Sequence, residues 1–361
     1  MRIIFGTGGT GGHLYPALAL ASYIKKQDPQ SEFLFVGTTN RLEASVVPEM
    51  GYAYKGMDLQ GIAGSPANKL KAVMKFVRSI KHSKKIVKDF KPDIVIGFGG
   101  YPSSSIVLGA AKMQVPTLIH EQNSIIGLAN KILIKHVDAI VACYDKAMQE
   151  FPKEKSYLLG NPRASQVVEA KQKDLTHFYH LDSNKKTVMV VMGSLGSSSV
   201  NEVMMQAIGD FEQKEYQVVF VTGQKQYEQT TQKLSHIPTN VKVVPYIEDM
   251  PSMLKMVDLV VTRAGASTLA EITALGAASL IIPSPYVAMN HQEYNAKALC
   301  EKSAALMILE KDLSKDGLLK TIDSIIFDDK KLDTLRDNAR QLGKPNASKD
   351  IYDLICQLVK K

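Results

Sequence analysis

The sequence predicts an α/β protein made of two doubly wound parallel-sheet domains. Short apolar runs alternate with longer helical stretches along the chain, which is the pattern of strand–helix–strand units. The pattern restarts near residue 187, and each half opens with a strand that runs into a glycine-rich turn. A length of 361 residues suits two domains of roughly 150–200 residues each. We therefore expect two similar domains that face a common cleft, with ligands beyond the carboxyl ends of their strands.

The first half shows the alternation clearly. Apolar runs predict buried parallel strands over residues 2–5, 32–36, 94–97, 117–119 and 139–141. Helices are predicted between them, over residues 17–26, 69–90 and 126–135.

The second half repeats the rhythm. Its predicted strands are TVMVVM (187–192), QVVFVT (217–222), VKVVPY (241–246), DLVVT (258–262) and AASLIIP (277–283).

Two interruptions suggest the domain limits. Gly160 and Pro162 break the pattern within residues 157–163, which predicts a hinge there. Residues 343–348 break it again before a last amphipathic helix over residues 349–361. We predict an N-terminal domain over residues 1–163 and a C-terminal domain over residues 164–340. The segment 341–361 is expected to pack back on the N-terminal domain.

Composition narrows the class of protein. The three cysteines lie far apart, so neither a disulfide framework nor a CxxC metal site is expected. The sequence has no HExxH motif, no Cys/His cluster and no Asp-x-Asp, so no metal is expected either. There is no apolar signal core and no run of roughly 18 apolar residues. We expect a cytosolic protein that is soluble or at most lies on a membrane.

Positive charge is concentrated in the first half. Residues 1–163 carry 21 Lys and Arg against 12 Asp and Glu, whereas residues 164–361 carry 23 against 24. Residues 65–91 alone hold nine basic residues and one acid, Asp89. Such a face suits a polyanion or an anionic membrane. In the helix expected there, Leu70, Val73, Val77 and Ile80 form an apolar stripe, which would either touch a membrane or pack on the sheet.

The first glycine turn (residues 6–12, GTGGTGG) formally matches the dinucleotide fingerprint GxGxxG. A dehydrogenase would also need an acid at the end of the second strand, but none appears before Glu43. No Lys-Ser/Thr follows the glycines, which excludes a P-loop. The turn is either a phosphate site at a helix N-terminus or simply a tight connection.

The second glycine turn (residues 193–199, GSLGSSS) resembles a nucleophile elbow, but Met192 stands where that motif needs glycine. Ser194 is better interpreted as a hydroxyl donor to a phosphate, or as a plain helix cap. Four further polar loops follow predicted strands, at residues 99–105, 120–127, 263–271 and 285–296. Six such loops around one expected cleft indicate a ligand site.

Several motifs together identify a family resemblance. GTGGTGGHLYPALALA, GGYPSS, IHEQNSIIGLANK, GNPR, TRAGASTLAE and HQEYNA occur in this order over nearly the whole chain. The set closely resembles the MurG family of bacterial N-acetylglucosaminyltransferases, which have the two-domain GT-B architecture. The resemblance implies transfer of N-acetylglucosamine from UDP-GlcNAc to the muramyl 4-hydroxyl of lipid I, with inversion, making lipid II. It places this step of peptidoglycan biosynthesis, which supports cell shape and division, at the cytoplasmic face of the membrane.

The resemblance also implies roles for particular residues. His13 is the preferred general base, with Glu121 second. Donor binding is implied for Asn123, Arg163, Ser194, Ile247, Ala266, Ser267, Thr268, Leu269, Glu271 and Gln292. Substrate binding, at the sugar nucleotide and the acceptor diphosphate, is implied for Thr10, Gly11 and Gly12, and acceptor binding for Gly99, Gly100, Tyr101 and Ser103. One departure is Leu195, where the family usually has glutamine.

The implied partners are UDP-GlcNAc, an undecaprenyl-diphosphate-linked muramyl-peptide acceptor, an anionic membrane surface and other cell-wall synthesis proteins. No cofactor, metal or nucleic acid is implied. Three alternatives stay open. A UDP-GlcNAc 2-epimerase would share the fold and the donor, and a non-catalytic nucleotide-sugar binder would share the site. An NAD-dependent oxidoreductase is disfavoured, because no acid stands at the end of the second strand.

Overall fold

The computed structural model describes residues 1–59 and 66–360, with the side chains of the helix Pro66–Phe90 described from Met74 onward. The chain forms two compact units, one comprising Met1–Ser165 with Asn346–Lys361 and the other Gln166–Pro345. Each unit is a parallel sheet covered by helices, which confirms the predicted class of two parallel-sheet α/β domains. The finer limits at residues 163 and 340 stay predictions.

The first unit contains a seven-stranded sheet in the order β3-β2-β1-β4-β5-β6-β7. Its strands are β1 Arg2–Gly6, β2 Glu32–Thr38, β3 Ala53–Met57, β4 Ile94–Gly97, β5 Thr117–Glu121, β6 Ala139–Ala142 and β7 Ser156–Leu158. Its helices are α1 Gly11–Gln27, α2 Glu43–Glu49, α3 Pro66–Phe90, α4 Tyr101–Ala111, α5 Leu128–Leu133 and α6 Asp145–Met148, followed by a 3₁₀ turn at Lys153–Lys155. The chain passes to the second unit within α7 Pro162–Glu169.

Residue alternation along β1 explains why helices cover both faces of this sheet. Ile3 and Phe5 pack with α1 and with the C-terminal helix, whereas Ile4 packs with α3, α4 and α5. The C-terminal helix, α16 Ala347–Val359, buries Ile351 and Ile355 completely in the first of these cores. Each such side chain contributes roughly 1.5–3 kcal/mol when fully buried.

The second unit contains a six-stranded sheet in the order β10-β9-β8-β11-β12-β13. Its strands are β8 Thr187–Val191, β9 Gln217–Val221, β10 Val241–Val244, β11 Leu259–Thr262, β12 Ala278–Ile281 and β13 Leu306–Met307. Its helices are α8 Thr176–Tyr179, α9 Ser198–Ala207, α10 Tyr227–Lys233, α11 Met250–Met256, α12 Ala266–Leu275, α13 His291–Cys300, α14 Lys315–Ile326 and α15 Asp329–Leu342, with 3₁₀ turns at Ile208–Gln213, Ala288–Asn290 and Glu310–Asp312.

Three strands, β3, β7 and β13, have no counterpart among the predicted strands. All three lie at sheet edges. An edge strand is less shielded from solvent, so it lacks the continuous apolar run that marks a central strand. Strand β3, for example, has the sequence AYKGM, in which alternate residues are exposed. The helix expected over residues 126–135 is also shorter, because α5 covers only Leu128–Leu133.

The apolar stripe expected on α3 is divided between two faces. Ile80 packs against the core with Phe76, whereas Val77 is 60% exposed. Leu70 and Val73 lie outside the described side chains. In the part of the chain that the structure describes, no helix is long and apolar enough to span a membrane.

Candidate functional site

Each unit presents its polar loops at the carboxyl ends of adjacent strands. In the first unit β1, β4 and β5 are neighbours, and they lead into the first glycine turn and the loops at residues 98–103 and 122–127. In the second unit β8, β11 and β12 are neighbours, and the second glycine turn and residues 263–266 and 282–290 follow them. Carboxyl ends of parallel strands share one sheet edge, where open α/β sheets bind ligands.

The first glycine turn ends in the N-terminus of α1. Thr10 is the N-cap, and its carbonyl accepts from the amides of His13 (3.2 Å) and Leu14 (3.2 Å). Thr10 and Gly12 are exposed, and Gly11 is half-buried. The first amides of a helix have no intrahelical acceptor, so those of Gly11 and Gly12 suit an anionic ligand.

His13 is held in one orientation by the turn that precedes it. Its Nδ1 lies 2.9 Å from the carbonyl oxygen of Gly8. A carbonyl can only accept, so Nδ1 donates to it, and in the neutral ring Nε2 then carries the lone pair. The ring also lies against Gly99, where a Cβ would approach Nε2 to 2.9 Å and where φ is +104°. A glycine is therefore required at position 99 by both space and backbone conformation.

The loop after β4 contacts the first glycine turn. A Cβ on Gly100 would lie 2.5 Å from the Gly8 carbonyl oxygen, so the two loops touch through their backbones. Ser103 is fully buried, and its hydroxyl accepts from the Gly99 amide (3.2 Å). Ser103 thus shapes the loop, while Gly100 and Tyr101 are half-buried at its edge.

A buried carboxylate that no sequence motif indicated lies beneath the first glycine turn. Glu43 is fully buried at the start of α2. Its Oε1 accepts from the amide and the hydroxyl of Thr38, at 3.0 and 2.7 Å. The Gly9 amide lies 3.3 Å from both carboxylate oxygens. Glu43 therefore joins the turn to the end of β2, and its carboxylate is not positioned as the ribose ligand of a dinucleotide site.

Glu121, the second candidate for the base, is engaged on both oxygens. Its Oε1 accepts from the amide of Asn123 (3.0 Å), and its Oε2 accepts from the amide of Gly127 (3.0 Å) and from Nδ2 of Asn130 (2.8 Å). Only 2% of Glu121 is exposed. This carboxylate holds the loop on which half-buried Asn123 lies.

His120 lies near the end of β5, next to that loop. It is fully buried, its Nε2 donates to the carbonyl of Gly160 (2.9 Å), and its Nδ1 accepts from Gln122 (3.0 Å). Burial lowers the pKa of His120 to about 4, so the ring is neutral near pH 7. The Cys143 thiol lies 3.9 Å away, but burial raises its pKa well above the usual range, so this pair is no activated nucleophile.

The second glycine turn projects Ser194 into solvent. Gly196, at φ +70°, packs so tightly on the Thr222 carbonyl that any side chain would overlap it. Gln226 donates to the Leu195 carbonyl (3.0 Å), and Asn201 donates to Gln226 Oε1 (3.0 Å). The turn is thus fixed through its backbone, and the Leu195 side chain stays 69% exposed.

A buried ion pair lies beside this turn. Arg263, after β11, pairs with Glu310 at 2.6 Å, and their side chains are only 12% and 7% exposed. The guanidinium also donates to Ser197 Oγ (2.6 Å) and to the Ile282 carbonyl (3.0 Å). Ser199 donates to the other oxygen of Glu310 (2.8 Å). The pair therefore links the N-terminus of α9 to the ends of β11 and β12.

The N-terminus of α12 carries the remaining predicted donor residues. Ala266, Ser267 and Thr268 form its first turn and are half-buried. Leu269 is 1% and Glu271 6% exposed. This places amides at the helix start and a buried carboxylate in the following turn, a combination suited to a phosphate and to sugar hydroxyls.

Gln292 is positioned by the same loop. Its Oε1 accepts from the amides of Ala264 (3.2 Å) and Ser284 (2.9 Å), and Asn295 donates to the Ala264 carbonyl (3.2 Å). The Gln292 amide nitrogen is thus the group suited to a ligand. Of the two residues expected near uracil, Ile247 is fully buried in the second unit and Arg163 is half-buried in the first.

Within residues 1–59 and 66–360, no three His, Cys, Asp or Glu side chains form a group that could hold a metal ion.

Comparison with known proteins assigns the family. The model of the glycosyltransferase family 28 N-terminal domain matches residues 3–142, and that of the C-terminal domain matches residues 187–353. The chain is 43% identical over 364 residues to a Bacillus cereus protein named UDP-N-acetylglucosamine–N-acetylmuramyl-(pentapeptide) pyrophosphoryl-undecaprenol N-acetylglucosamine transferase 1, covering 100% of both. The chain belongs to the MurG family.

Solved structures agree with this family. The crystal structure of Acinetobacter baumannii MurG matches with a TM-score of 0.81 at 27% identity and covers 99% of each chain. A putative UDP-N-acetylglucosamine 2-epimerase from Listeria monocytogenes matches with a TM-score of 0.69 at 12% identity, covering 98% of this chain and 94% of that one. The second match shows the shared fold alone.

In this MurG-family chain, sequence reasoning missed Glu43, Glu310 and Asn295. In the sequence Glu43 lies too far after the second strand for a dinucleotide site, and its contact with Gly9 depends on the fold of the loop between β2 and α2. Glu310 stands 47 residues after Arg263 in an irregular segment, so no local pattern connects them. Asn295 could have been suspected from its place in HQEYNA, one helical turn after Gln292.

Proposed function

We propose that the chain is an inverting glycosyltransferase that moves N-acetylglucosamine from UDP-GlcNAc to lipid I and so forms lipid II. The observation that carries this proposal is full-length identity of 43% to a relative whose name states that transfer. The first unit would bind the acceptor and the second unit the donor.

Donor binding is proposed for the strand ends of the second unit. Glu271 would accept from the ribose hydroxyls, and Ser194 with the amides of the first turn of α12 would hold the diphosphate. A ten-residue helix directs its positive end at such a group and stabilises negative charge on the departing UDP. The Gln292 amide nitrogen and Asn123 would contact the sugar, and Arg163 and the Ile247 backbone the uracil.

Proton transfer is proposed for His13. Attack by the acceptor hydroxyl on the anomeric carbon needs a base that removes the hydroxyl proton. With Nδ1–H donating to the Gly8 carbonyl, Nε2 is the atom that can accept it. Glu121 is the weaker candidate, because its oxygens already accept from three neighbouring residues.

Acceptor binding is proposed for the loops around His13. The N-termini of α1 and α4 lie at the carboxyl ends of the adjacent strands β1 and β4. Amides of Gly11, Gly12 and Tyr101 would face the lipid diphosphate, with Thr10 and Gly100 beside them. Gly99 and Ser103 would keep the loop in shape.

Contact with the cytoplasmic face of the membrane is proposed for α3. Its outward face carries Met74 and Val77, which are 49% and 60% exposed, followed by exposed basic side chains at Arg78, Lys81, Lys84, Lys85 and Lys88. Lys75 is engaged elsewhere, since it pairs with Asp58 at 2.8 Å. Each engaged basic residue contributes roughly 1 kcal/mol near an anionic surface.

The triple variant Arg78→Glu, Lys81→Glu and Lys85→Glu tests this contact. We expect loss of sedimentation with anionic vesicles and slower turnover of a long-chain acceptor, with turnover of a short water-soluble acceptor preserved. The triple variant Lys320→Glu, Lys330→Glu and Lys344→Glu, at exposed positions of the second unit, is the matched control. Vesicle binding that persists in the triple variant would place the docking face elsewhere.

The reaction itself is tested by UDP release from UDP-GlcNAc with and without a lipid-diphosphate-linked muramyl acceptor. The proposal requires release that depends on the acceptor and a disaccharide product. A UDP-GlcNAc 2-epimerase would instead give an epimerised sugar without acceptor. That alternative rests on fold likeness at 12–13% identity.

A further inference from the structure

Glu43 is a buried carboxylate that has no role in the proposed reaction. Its carboxylate is fully buried, and within the described residues no basic side chain forms an ion pair with it. Burying a carboxylate is costly unless donors compensate it. Two of its three donors, the amide and the hydroxyl of Thr38, lie at the end of β2, where other kinds of loop could also supply their acceptor. The third donor is the Gly9 amide of the first glycine turn.

The Gly9 amide and the Gly8 carbonyl belong to the same peptide group. The N–H of that group points at Glu43, 3.3 Å away, and its carbonyl oxygen lies 2.9 Å from Nδ1 of His13. A trans peptide is planar and directs these two bonds in opposite directions. One rigid group therefore connects the buried carboxylate to the imidazole.

This connection determines the tautomer of the imidazole. A carboxylate accepts from the Gly9 N–H, which keeps the Gly8 carbonyl facing His13 and strengthens it as an acceptor. The carbonyl in turn keeps the proton on Nδ1 and leaves Nε2 free to accept one. A peptide between two glycines turns over easily when nothing holds it, because neither residue has a Cβ.

We propose that Glu43 is a positioning residue for catalysis, which acts through the Gly8–Gly9 peptide to hold His13 in the tautomer with an unprotonated Nε2. The inference rests on the proposed function, in which His13 is the base. Loss of the carboxylate would let the peptide turn over, present an N–H to Nδ1 and favour the opposite tautomer.

Glu43→Gln tests the proposal, because the side chain keeps its size but places an NH₂ group towards either Thr38 or Gly9. We expect kcat to fall about 10- to 100-fold while the KM for UDP-GlcNAc stays within about twofold. This loss of kcat is smaller than that on replacing an acid that contacts its histidine directly, because Glu43 acts through a peptide group. Thr38→Val is the matched control, since it removes a donor to the same carboxylate but leaves the Gly9 contact. Its kcat should stay near that of the wild type.

A spectroscopic readout separates this inference from the proposed function. In ¹⁵N-labelled protein without substrate, long-range ¹H–¹⁵N correlation spectra should show His13 as the Nδ1–H tautomer in the wild type and in Thr38→Val, but as Nε2–H or a mixture in Glu43→Gln. The His13→Ala spectrum assigns the signal. If Glu43→Gln does not fold, Glu43→Asp draws the carboxylate back from Gly9 and should give the same change.

An unchanged tautomer in both Glu43→Gln and Glu43→Asp, or the same change in Thr38→Val, would overturn the inference. If instead the tautomer changes as expected but His13→Ala keeps full kcat, then Glu43 orients His13 without any effect on catalysis. That result would refute both the catalytic role of Glu43 and the proposal that His13 is the base.

Discussion

The two glycine turns follow equivalent strands in similar sheets, yet side chains of opposite charge hold them in place. The first glycine turn rests on the carboxylate of Glu43, which binds the backbone at Gly9. The second rests on the guanidinium of Arg263, which binds the hydroxyl of Ser197 and is balanced by Glu310. Equivalent positions in the two halves therefore have different electrostatics.

The difference suits different chemistry. The Glu43 carboxylate accepts from the Gly9 amide and so leaves the Gly8 carbonyl to the imidazole of His13, while the first amides of α1 have no intrahelical acceptor. A guanidinium favours phosphate oxygens, although here it shares its charge with Glu310. The strand–turn–helix unit thus occurs twice, and the side chains that contact it differ between the turn proposed to hold the base and the turn proposed to hold a nucleotide.

The largest effect is expected from His13→Ala in the first turn. Removing a general base costs about 10²- to 10⁴-fold in rate, so kcat should fall by that range while the donor KM changes much less. Steady-state kinetics with a soluble acceptor measures both. His136→Ala, an exposed histidine of the same unit, is the control. Full activity in His13→Ala, with Glu121→Gln inactive, would reverse the assignment of the base.

The next largest effect is expected on stability from Arg263→Met beneath the second turn. It leaves Glu310 buried without its partner, which costs about 3–5 kcal/mol. Hydrogen exchange of the β8 and β11 amides should report the loss. Lys186→Met, which breaks an exposed pair with Asp329, should cost less than about 1 kcal/mol. Adding Glu310→Leu should restore most of the stability, and failure to do so would show that the charge itself is not the cause.

An acid-sensitive first unit is expected because of His120. Its folded pKa of about 4 lies below the ordinary 6.5, so unfolded chains bind the proton first as pH falls. The contribution of neutral His120 to the free energy of unfolding is complete above about pH 6.5 and is lost towards pH 4. Its slope is up to about 1.4 kcal/mol per pH unit. Hydrogen exchange of β4 and β5 across this window measures it. His120→Gln should flatten the dependence, and an unchanged slope would exclude His120 as its source.

The smallest effect is expected on donor binding from Glu271→Ala. Hydrogen bonds to a carboxylate are worth roughly 1.5–3 kcal/mol, so UDP affinity should fall about 10- to 100-fold with the fold intact. Calorimetric titration with UDP provides the measurement. Glu301→Ala, an exposed acid of the same unit, should bind UDP normally. Unchanged affinity in Glu271→Ala would remove this residue from the site.

The parallel α/β class, the central strands and the motif loops at their carboxyl ends follow from the amino-acid sequence alone. They do so because these features depend on local patterns. A central strand such as β8 is a continuous apolar run because it is buried on both faces. The turn at residues 6–12 is visible because Gly9, at φ +91°, needs a glycine and Gly6 has no room for a side chain.

Contacts between polar groups of distant segments, in contrast, are visible only in the folded chain. Glu43 reaches Gly9 across 34 positions, Arg263 reaches Glu310 across 47, and Ile80 packs inward while Val77 faces outward on one helix. The edge strands β3, β7 and β13 also needed their neighbours to be recognised. The physical reason is common to these cases: hydrogen bonds and ion pairs between distant segments depend on where the backbone brings each group, and no local periodicity records that.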